Sequence, residues 1–359
     1  MRIIASHLFN DYSGSPKVLM QLLKNFTKNN IETHLFTSNG KNGFLSNIPN
    51  VKNHFFKYTF SDNKFLRLYF FTSSQVILFM KLIFFIKKTD VIYCNTVLPF
   101  GAAIAGKLRG CRVIYHIHET SMKPQILKNF LFGIVKLTAS EIIYVSDFLA
   151  NKEPLNIKKH VLYNVLEQEF IENAIQKRTI IKEKKIVVML CSLKKYKGVN
   201  EFIALAKLLP EYQFNLIVNA SLSDIKIYFS DQIIPENCTV FETQKNTQRF
   251  YEEASIILNL SDVNLWVETF GLTILEAMAY GLPAIVPPVG GVVELVDNEE
   301  NGFLINSKNS YEISKNIKLL FDDKLLYENM HKKAIQKSNQ FSPEYFEKSM
   351  LNIIFQKKI

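Results

Sequence analysis

Short, nearly continuous apolar runs recur along this chain with longer amphipathic stretches between them, and that rhythm restricts the fold more tightly than any other feature. The runs fall at residues 3–8, 33–37, 91–95, 112–118 and 142–145, and a second series follows at 186–190, 214–218, 239–241, 256–260 and 284–286. Strands apolar on both faces must be covered on both faces, which marks a parallel sheet built from βαβ units. The intervening stretches have helical spacing. Ser15 is placed to cap, and Pro16 to open, a first helix with Val18, Leu19, Leu22, Leu23 and Phe26 on its core side. Between the two series lies a charged, apolar-poor segment, 167–185, read as a connection. A chain of 359 residues is long enough for two full cores. Two Rossmann-like domains are expected, 1–165 and 166–341.

The most specific stretch is 268–283, E-T-F-G-L-T-I-L-E-A-M-A-Y-G-L-P, with two glutamates eight positions apart. Thr273 is placed as an N-cap, residues 274–280 favour helix, and Gly281 followed by Pro283 closes it. The helix would then begin between Glu268 and Glu276. The N–H groups of Phe270, Gly271, Leu272 and Thr273 would point outward with the positive end of the helix dipole, which suits a diphosphate. Thr273 and Glu276 also spell a capping box, a reading that needs no ligand. That reading gives no reason for Glu268, or for G-G-V-V-E at 290–294 just after the next apolar run.

Taken in order, E-x7-E, G-L-P-A-I-V-P at 281–287, G-G-V-V-E and N-G-F-L-I at 301–305 closely resemble the C-terminal half of the family-4 retaining glycosyltransferases. That family has the GT-B fold, two Rossmann-like parallel-sheet domains facing across a cleft. Weaker likenesses extend over most of the chain. S-L-K-K-Y-K-G at 192–198 resembles the family's phosphate-binding loop, Y-N-V at 163–165 the segment closing its first domain, and S-G-S-P at 13–16 sits where the family has its first glycine loop. The resemblance implies that Lys197 binds phosphate, Glu276 the ribose hydroxyls and Glu268 the transferred sugar. It further implies that His118, in H-I-H-E at 116–119, touches the donor sugar, and that a terminal helix, 342–359, crosses back onto the first domain. Alternation sends His116 and His118 to one face, so one of them can be an ordinary buried histidine. Where many members carry an arginine this chain has Ser192, and Lys194 is favoured over Lys195 as the replacement cation. Gly14 and Ser15, at the start of the first helix, are read either as approaching the diphosphate or acceptor or as a cap with no ligand.

The activity so implied is retaining transfer of a hexose-type sugar from a UDP- or GDP-sugar to a glycan or lipid-linked acceptor, in bacterial surface polysaccharide or glycolipid synthesis. Negative charge gathers on the leaving diphosphate, so electrostatics must dominate. No Asp-x-Asp pair is present. No metal or other cofactor is therefore expected, and a helix terminus with lysines takes that role. Front-face substitution is preferred to double displacement with Glu268 as nucleophile. A nucleotide-sugar epimerase of the same fold is the alternative enzyme. A nicotinamide oxidoreductase is disfavoured because the first βα turn lacks G-x-G-x-x-G.

The net charge of +10 would suit a nucleic-acid binder, but 37 of the 43 basic residues are lysine, and base readers favour arginine forks. No nucleic acid is expected. Residues 1–165 hold 21 basic and 8 acidic side chains. That asymmetry fits either peripheral contact with an anionic membrane, including a non-catalytic membrane binder, or a general lysine bias. In the most apolar stretch, 65–86, only 13 residues separate Arg67 from Lys81, short of the roughly 20 a span requires. It is read as a core helix in preference to an amphipathic one. Four dispersed cysteines and an N-terminus without a signal-peptide pattern point to the cytoplasm, including the inner face of the plasma membrane.

Overall fold

The computed structural model describes residues 1–40, 42–179 and 185–356. The chain forms two compact units, one comprising Met1–Tyr163 together with the segment beginning at Glu344, the other Asn164–Pro343. Residues 180–184 of the expected connection and 357–359 of the expected terminal helix lie outside the described residues.

The first unit holds a parallel sheet of β1 (Arg2–His7), β2 (Glu32–Ser38), β3 (Val51–Phe56), β4 (Val91–Asn95), β5 (Arg112–Ile117), β6 (Glu141–Tyr144) and β7 (Lys159–Val161), in the order β3-β2-β1-β4-β5-β6-β7. Its helices are α1 (Gly14–Lys28), α2 (Lys64–Phe85), α3 (Phe100–Leu108), α4 (Gln125–Thr138) and α5 (Asp147–Lys152). Central strands β1, β4 and β5 are buried almost throughout, as their apolar runs demand. Helix α1 starts at Gly14 with Ser13 at the N-cap position, not at Ser15. Asp11 holds the turn by accepting the Ser13 N–H at 2.9 Å and its hydroxyl at 2.5 Å, so the helix begins two residues earlier than Pro16 suggests.

Helix α2 corrects another expectation. Only Phe71, Ser74, Gln75, Leu78 and Leu82 are buried, and Phe65 and Phe84 are 86% and 82% exposed. The helix lies beside α3 and edge strand β3, so a single stripe of it has partners.

The second unit holds α6 (Gln168–Lys177) and a parallel sheet of β8 (Ile186–Ser192), β9 (Gln213–Asn219), β10 (Cys238–Phe241), β11 (Ile256–Leu258), β12 (Ala284–Val286) and β13 (Gly302–Leu304), ordered β10-β9-β8-β11-β12-β13. Helices α7 (Val199–Leu208), α8 (Leu222–Tyr228), α9 (Gln248–Glu253), α10 (Leu272–Ala279), α11 (Ser310–Asp322) and α12 (Lys324–Ser338) cover it. Much of the segment expected as a connection is therefore helix. Phe170 of α6 is buried against the rings of Tyr251 and Tyr280, so two apolar side chains, Phe170 and Ala174, suffice to dock it.

The last helix, α13 (Pro343–Phe355), buries Phe346, Met350, Ile353 and Ile354. Arg112, at the start of β5, donates to the carbonyls of Ile354 at 2.8 Å, Gln356 at 2.9 Å and Ile353, and its charge is balanced by Glu141 at 2.5 Å. A guanidinium thus satisfies carbonyls that the end of a helix leaves without partners.

Candidate active site

In both sheets strand order reverses beside the first strand, and ligands of such sheets bind past the carboxyl ends of the strands at that point. In the second unit the reversal lies between β8 and β11. The loops leaving these strands bring Lys197 and Glu268 together. Lys197 Nζ and Ser261 Oγ both donate to Glu268 Oε1, the latter at 3.0 Å. Burial pushes the Glu268 carboxyl up, but the Lys197 charge and bonds from Lys197, Ser261 and Asn259 outweigh it and hold the group below its ordinary range. Glu268 is an ionised acceptor at neutral pH. Lys197 Nζ also lies 4.8 Å from the centre of the Trp266 ring, which stacks on Tyr196 at 5.2 Å. The lysine is thus seated on an aromatic face and aimed at a carboxylate.

Glycines make these loops close. Gly198 has φ +80°, and a Cβ there would lie 2.2 Å from the Leu260 carbonyl oxygen. Gly291 donates its N–H to the Glu268 carbonyl at 2.7 Å, and a Cβ on it would stand 2.0 Å from the Thr269 oxygen. The G-G-V-V-E segment therefore braces the Glu268 backbone.

Helix α10 begins at Leu272, with Gly271 in the left-handed region at φ +102° as its N-cap. Thr273 is the second helical residue and not the cap, because a left-handed glycine turns the chain into the helix without a side-chain acceptor. No capping box forms. Glu276, only 4% exposed, accepts the Tyr251 hydroxyl at 2.6 Å. Gly271, Leu272 and Thr273 are half-buried and everything after them in the helix is buried, so solvent reaches the helix only at its start. Phe270 is buried against Phe341. Ser192 ends β8, and its carbonyl accepts the Lys194 N–H at 2.7 Å. The Lys194 side chain is exposed; Lys197 is the lysine that reaches Glu268.

In the first unit the reversal lies between β1 and β4, and its centre is Asn95. The Asn95 amide donates to the Ser15 carbonyl at 3.1 Å, which leaves Oδ1 to accept from His118 Nε2 at 3.0 Å. His118 therefore carries its proton on Nε2. His7 Nδ1 sits 3.0 Å from the Asn95 carbonyl. His116 is fully buried beside Tyr93 Oη at 2.8 Å, whereas His118 is half-buried with its ring 4.3 Å away. Burial drives His116 down to about 3; burial, then His116 and His7, drive His118 well below the usual histidine range. Both rings are neutral. The space beside Gly14 is open, so packing gives no reason for a glycine there.

Glu119, Asn95 and Ser261 were assigned no role from the sequence. Burial pushes the Glu119 carboxyl up to about 7 despite bonds from the His118, Val97 and Glu119 N–H groups and the Thr96 hydroxyl. Thr96 itself has φ +79°, strained for a β-branched residue. Glu119 was within reach of sequence reading, because it completes H-I-H-E. Asn95 and Ser261 had no such signal. Among the described residues no three His, Cys, Asp or Glu side chains converge as a metal site.

Residues 170–337 match the family model of glycosyl transferases group 1, and residues 12–164 that of Glycosyltransferase Family 4. N-acetyl-alpha-D-glucosaminyl L-malate synthase of Bacillus anthracis is 24% identical over 278 residues, 69% of each chain. An uncharacterized glycosyltransferase of Methanocaldococcus jannaschii is 23% identical over 366 residues, covering 96% of this chain and 95% of that one. Among solved structures, Anabaena HepE in complex with UDP and glucose is similar with a TM-score of 0.81 over 99% of this chain and 100% of its own, at 17% identity. At that identity the likeness is one of fold.

Proposed function

Because the chain belongs to the glycosyltransferases of group 1 and family 4 and has their GT-B fold, we propose that it moves a hexose-type sugar from a UDP- or GDP-sugar to a glycan or lipid-linked acceptor with retention of configuration. The observation that carries this reading is the meeting of Lys197 and Glu268 at the strand reversal of the second unit, in the loops that lead to the start of α10. A cation and the N–H groups of a helix start are what a departing diphosphate requires. An ionised carboxylate beside them is an acceptor matched to sugar hydroxyls.

Donor binding would draw Lys197 toward the diphosphate. Glu268 would then be free to accept from the sugar, with Ser261 keeping its carboxylate in place. Glu276, already fixed by Tyr251, would turn its carboxylate to the ribose diol. The anomeric C–O bond to the diphosphate breaks as the bond to the acceptor oxygen forms, and the acceptor proton passes to the departing phosphate oxygen. His118, neutral and oriented by Asn95 through its Nε2 proton, is proposed to accept at Nδ1 from a hydroxyl of the transferred sugar without changing charge, and Gly14 and Ser15 to lie where a ligand nears the first unit. No divalent ion is assigned a part, since the lysine and the helix start supply the positive potential. The reading places the enzyme in the cytoplasm, at the membrane's inner face when the acceptor is lipid-linked, in surface polysaccharide or glycolipid synthesis.

Incubation with labelled UDP- and GDP-sugars and lipid or oligosaccharide acceptors tests the proposal. The expected outcome is labelled product, lost in Glu268→Ala while circular dichroism is unchanged. Full activity in Glu268→Ala would remove the site assignment.

A further inference from the structure

Helices α2, α3 and α4 lie side by side in the first unit, and their outward surface is apolar to a degree that a water-facing layer does not explain. Opposite its buried stripe, α2 presents an uncharged one that includes Phe65, Val76, Met80 and Phe84, each at least half exposed. On α4, Ile126, Phe130 and Leu137 stand out at helical spacing, at 82%, 52% and 74% exposure. Beneath them the buried Phe100 ring of α3 touches Phe71 on the buried side of α2 and Phe130 of α4 at 5.7 and 5.5 Å, which packs the three helices into one layer.

The charges of this layer are one-sided. Lys64, Arg67, Lys81, Lys107, Lys128 and Lys136 lie on the three helices, which contain no aspartate or glutamate. A second copy docked symmetrically on this face would set cations against cations with no carboxylate on these helices to receive them, and the neighbouring Glu153 is already paired with Lys128 at 2.5 Å. A surface of negative headgroups over hydrocarbon satisfies both the stripe and its cations. Helix α2 is long and apolar enough to cross a membrane by composition. However, Ser74 and Gln75 are buried on the domain side, where Gln75 accepts the Gly101 N–H at 3.2 Å, so it is held flat against its own unit. Beside α4 is a hollow of about 260 Å³ lined in part by Gln125, Lys128, Asn129 and Lys136 and also by Glu153, whose carboxylate pairs with Lys128 at 2.5 Å.

We propose that the α2–α3–α4 layer of the first unit is a docking face for an anionic lipid bilayer, entered by the exposed apolar stripes of α2 and α4 and held by the surrounding lysines. This deepens the reading of a lipid-linked acceptor, and its test measures partition rather than transfer, so either can fail alone. The full chain is sedimented with vesicles of phosphatidylcholine alone and of phosphatidylcholine mixed with phosphatidylglycerol. Binding to the mixed vesicles is expected to exceed binding to the neutral ones by about tenfold and to weaken as the salt approaches about 1 M. Val76→Glu with Met80→Glu should lower partition by about tenfold or more, as should Ile126→Glu. Lys107→Glu with Lys136→Glu should abolish the preference for phosphatidylglycerol. All these side chains are exposed, so thermal unfolding should not change. Equal binding to both vesicle types, or partition insensitive to the stripe variants, overturns the proposal. So does a dimer in sedimentation that Val76→Glu with Met80→Glu converts to monomer without any vesicle binding, which would make the face an interface between copies.

Discussion

Glu268 and Lys197 are 71 residues apart and meet because two loops leave neighbouring strands at the same edge. Their chemistry follows from that meeting: a lysine pulls a buried carboxyl down into the ionised state, and the carboxyl fixes the lysine on Trp266. Lys197→Ala is expected to lower transfer by about a hundredfold to a thousandfold, the usual loss when one preorganised charge facing a developing anion is removed, as read from steady-state kinetics. Glu119 gives a pH prediction. Its folded carboxyl titrates near 7 against an ordinary 4.5. Between those values the folded state holds a proton that the unfolded chain has lost, so this group's contribution to stability declines as pH rises from about 4.5 to 7. The melting temperature of Glu119→Gln relative to the unaltered protein should therefore climb across that window in calorimetry; a constant difference would contradict the assignment. At this scale the sequence singles out candidates by residue type, as with Glu268, Lys197 and His118, and the structure brings the first two of them together. Asn95 and Ser261 acquire their roles only from what the sheet places beside them.

Strand interiors were legible because a strand covered on both faces has to be apolar, and residues 91–95 and 284–286 coincide with β4 and β12. Strands β3 and β7 were not, because edge strands tolerate polar residues such as Lys52, Asn53 and Lys159. Both helix starts were misplaced for a common reason. Ser15 and Thr273 have the right chemistry for caps, but Asp11 in one case and a left-handed Gly271 in the other make the turn earlier. The glycine contacts yield a test of how loops hold the site. Gly291→Ala puts a Cβ 2.0 Å from a backbone oxygen and must displace the segment bearing Glu268. It should destabilise the second unit by about 1 to 3 kcal/mol, the scale of local backbone strain, and weaken donor binding as well; denaturant unfolding and a binding titration measure the two effects. Gly14→Ala, where a Cβ meets nothing, should leave stability unchanged.

The two-domain architecture was the most readable level, since two series of apolar runs leave few other ways to bury themselves. The placement of α13 in the first unit was readable only by resemblance, because its apolar stripe does not name its partner. The structure supplies the missing specificity in Arg112, whose guanidinium binds three carbonyls at the end of that helix while paired with Glu141. Arg112→Ala leaves Glu141 and those carbonyls buried without their cation, which by analogy with broken buried pairs costs about 3 to 5 kcal/mol. The first unit should then melt earlier in calorimetry and α13 become open to proteolysis, with the second unit's transition unmoved. The central claim is that the second unit holds a nucleotide sugar at Lys197 and Glu268, and Trp266, the only tryptophan in the chain, lies directly under that lysine. Titration of UDP- and GDP-sugars against tryptophan fluorescence is the most direct measurement. A saturable change with at least one of them, lost in Lys197→Ala, is the result predicted; no change with any nucleotide sugar, or the same curve in Lys197→Ala, would contradict the account.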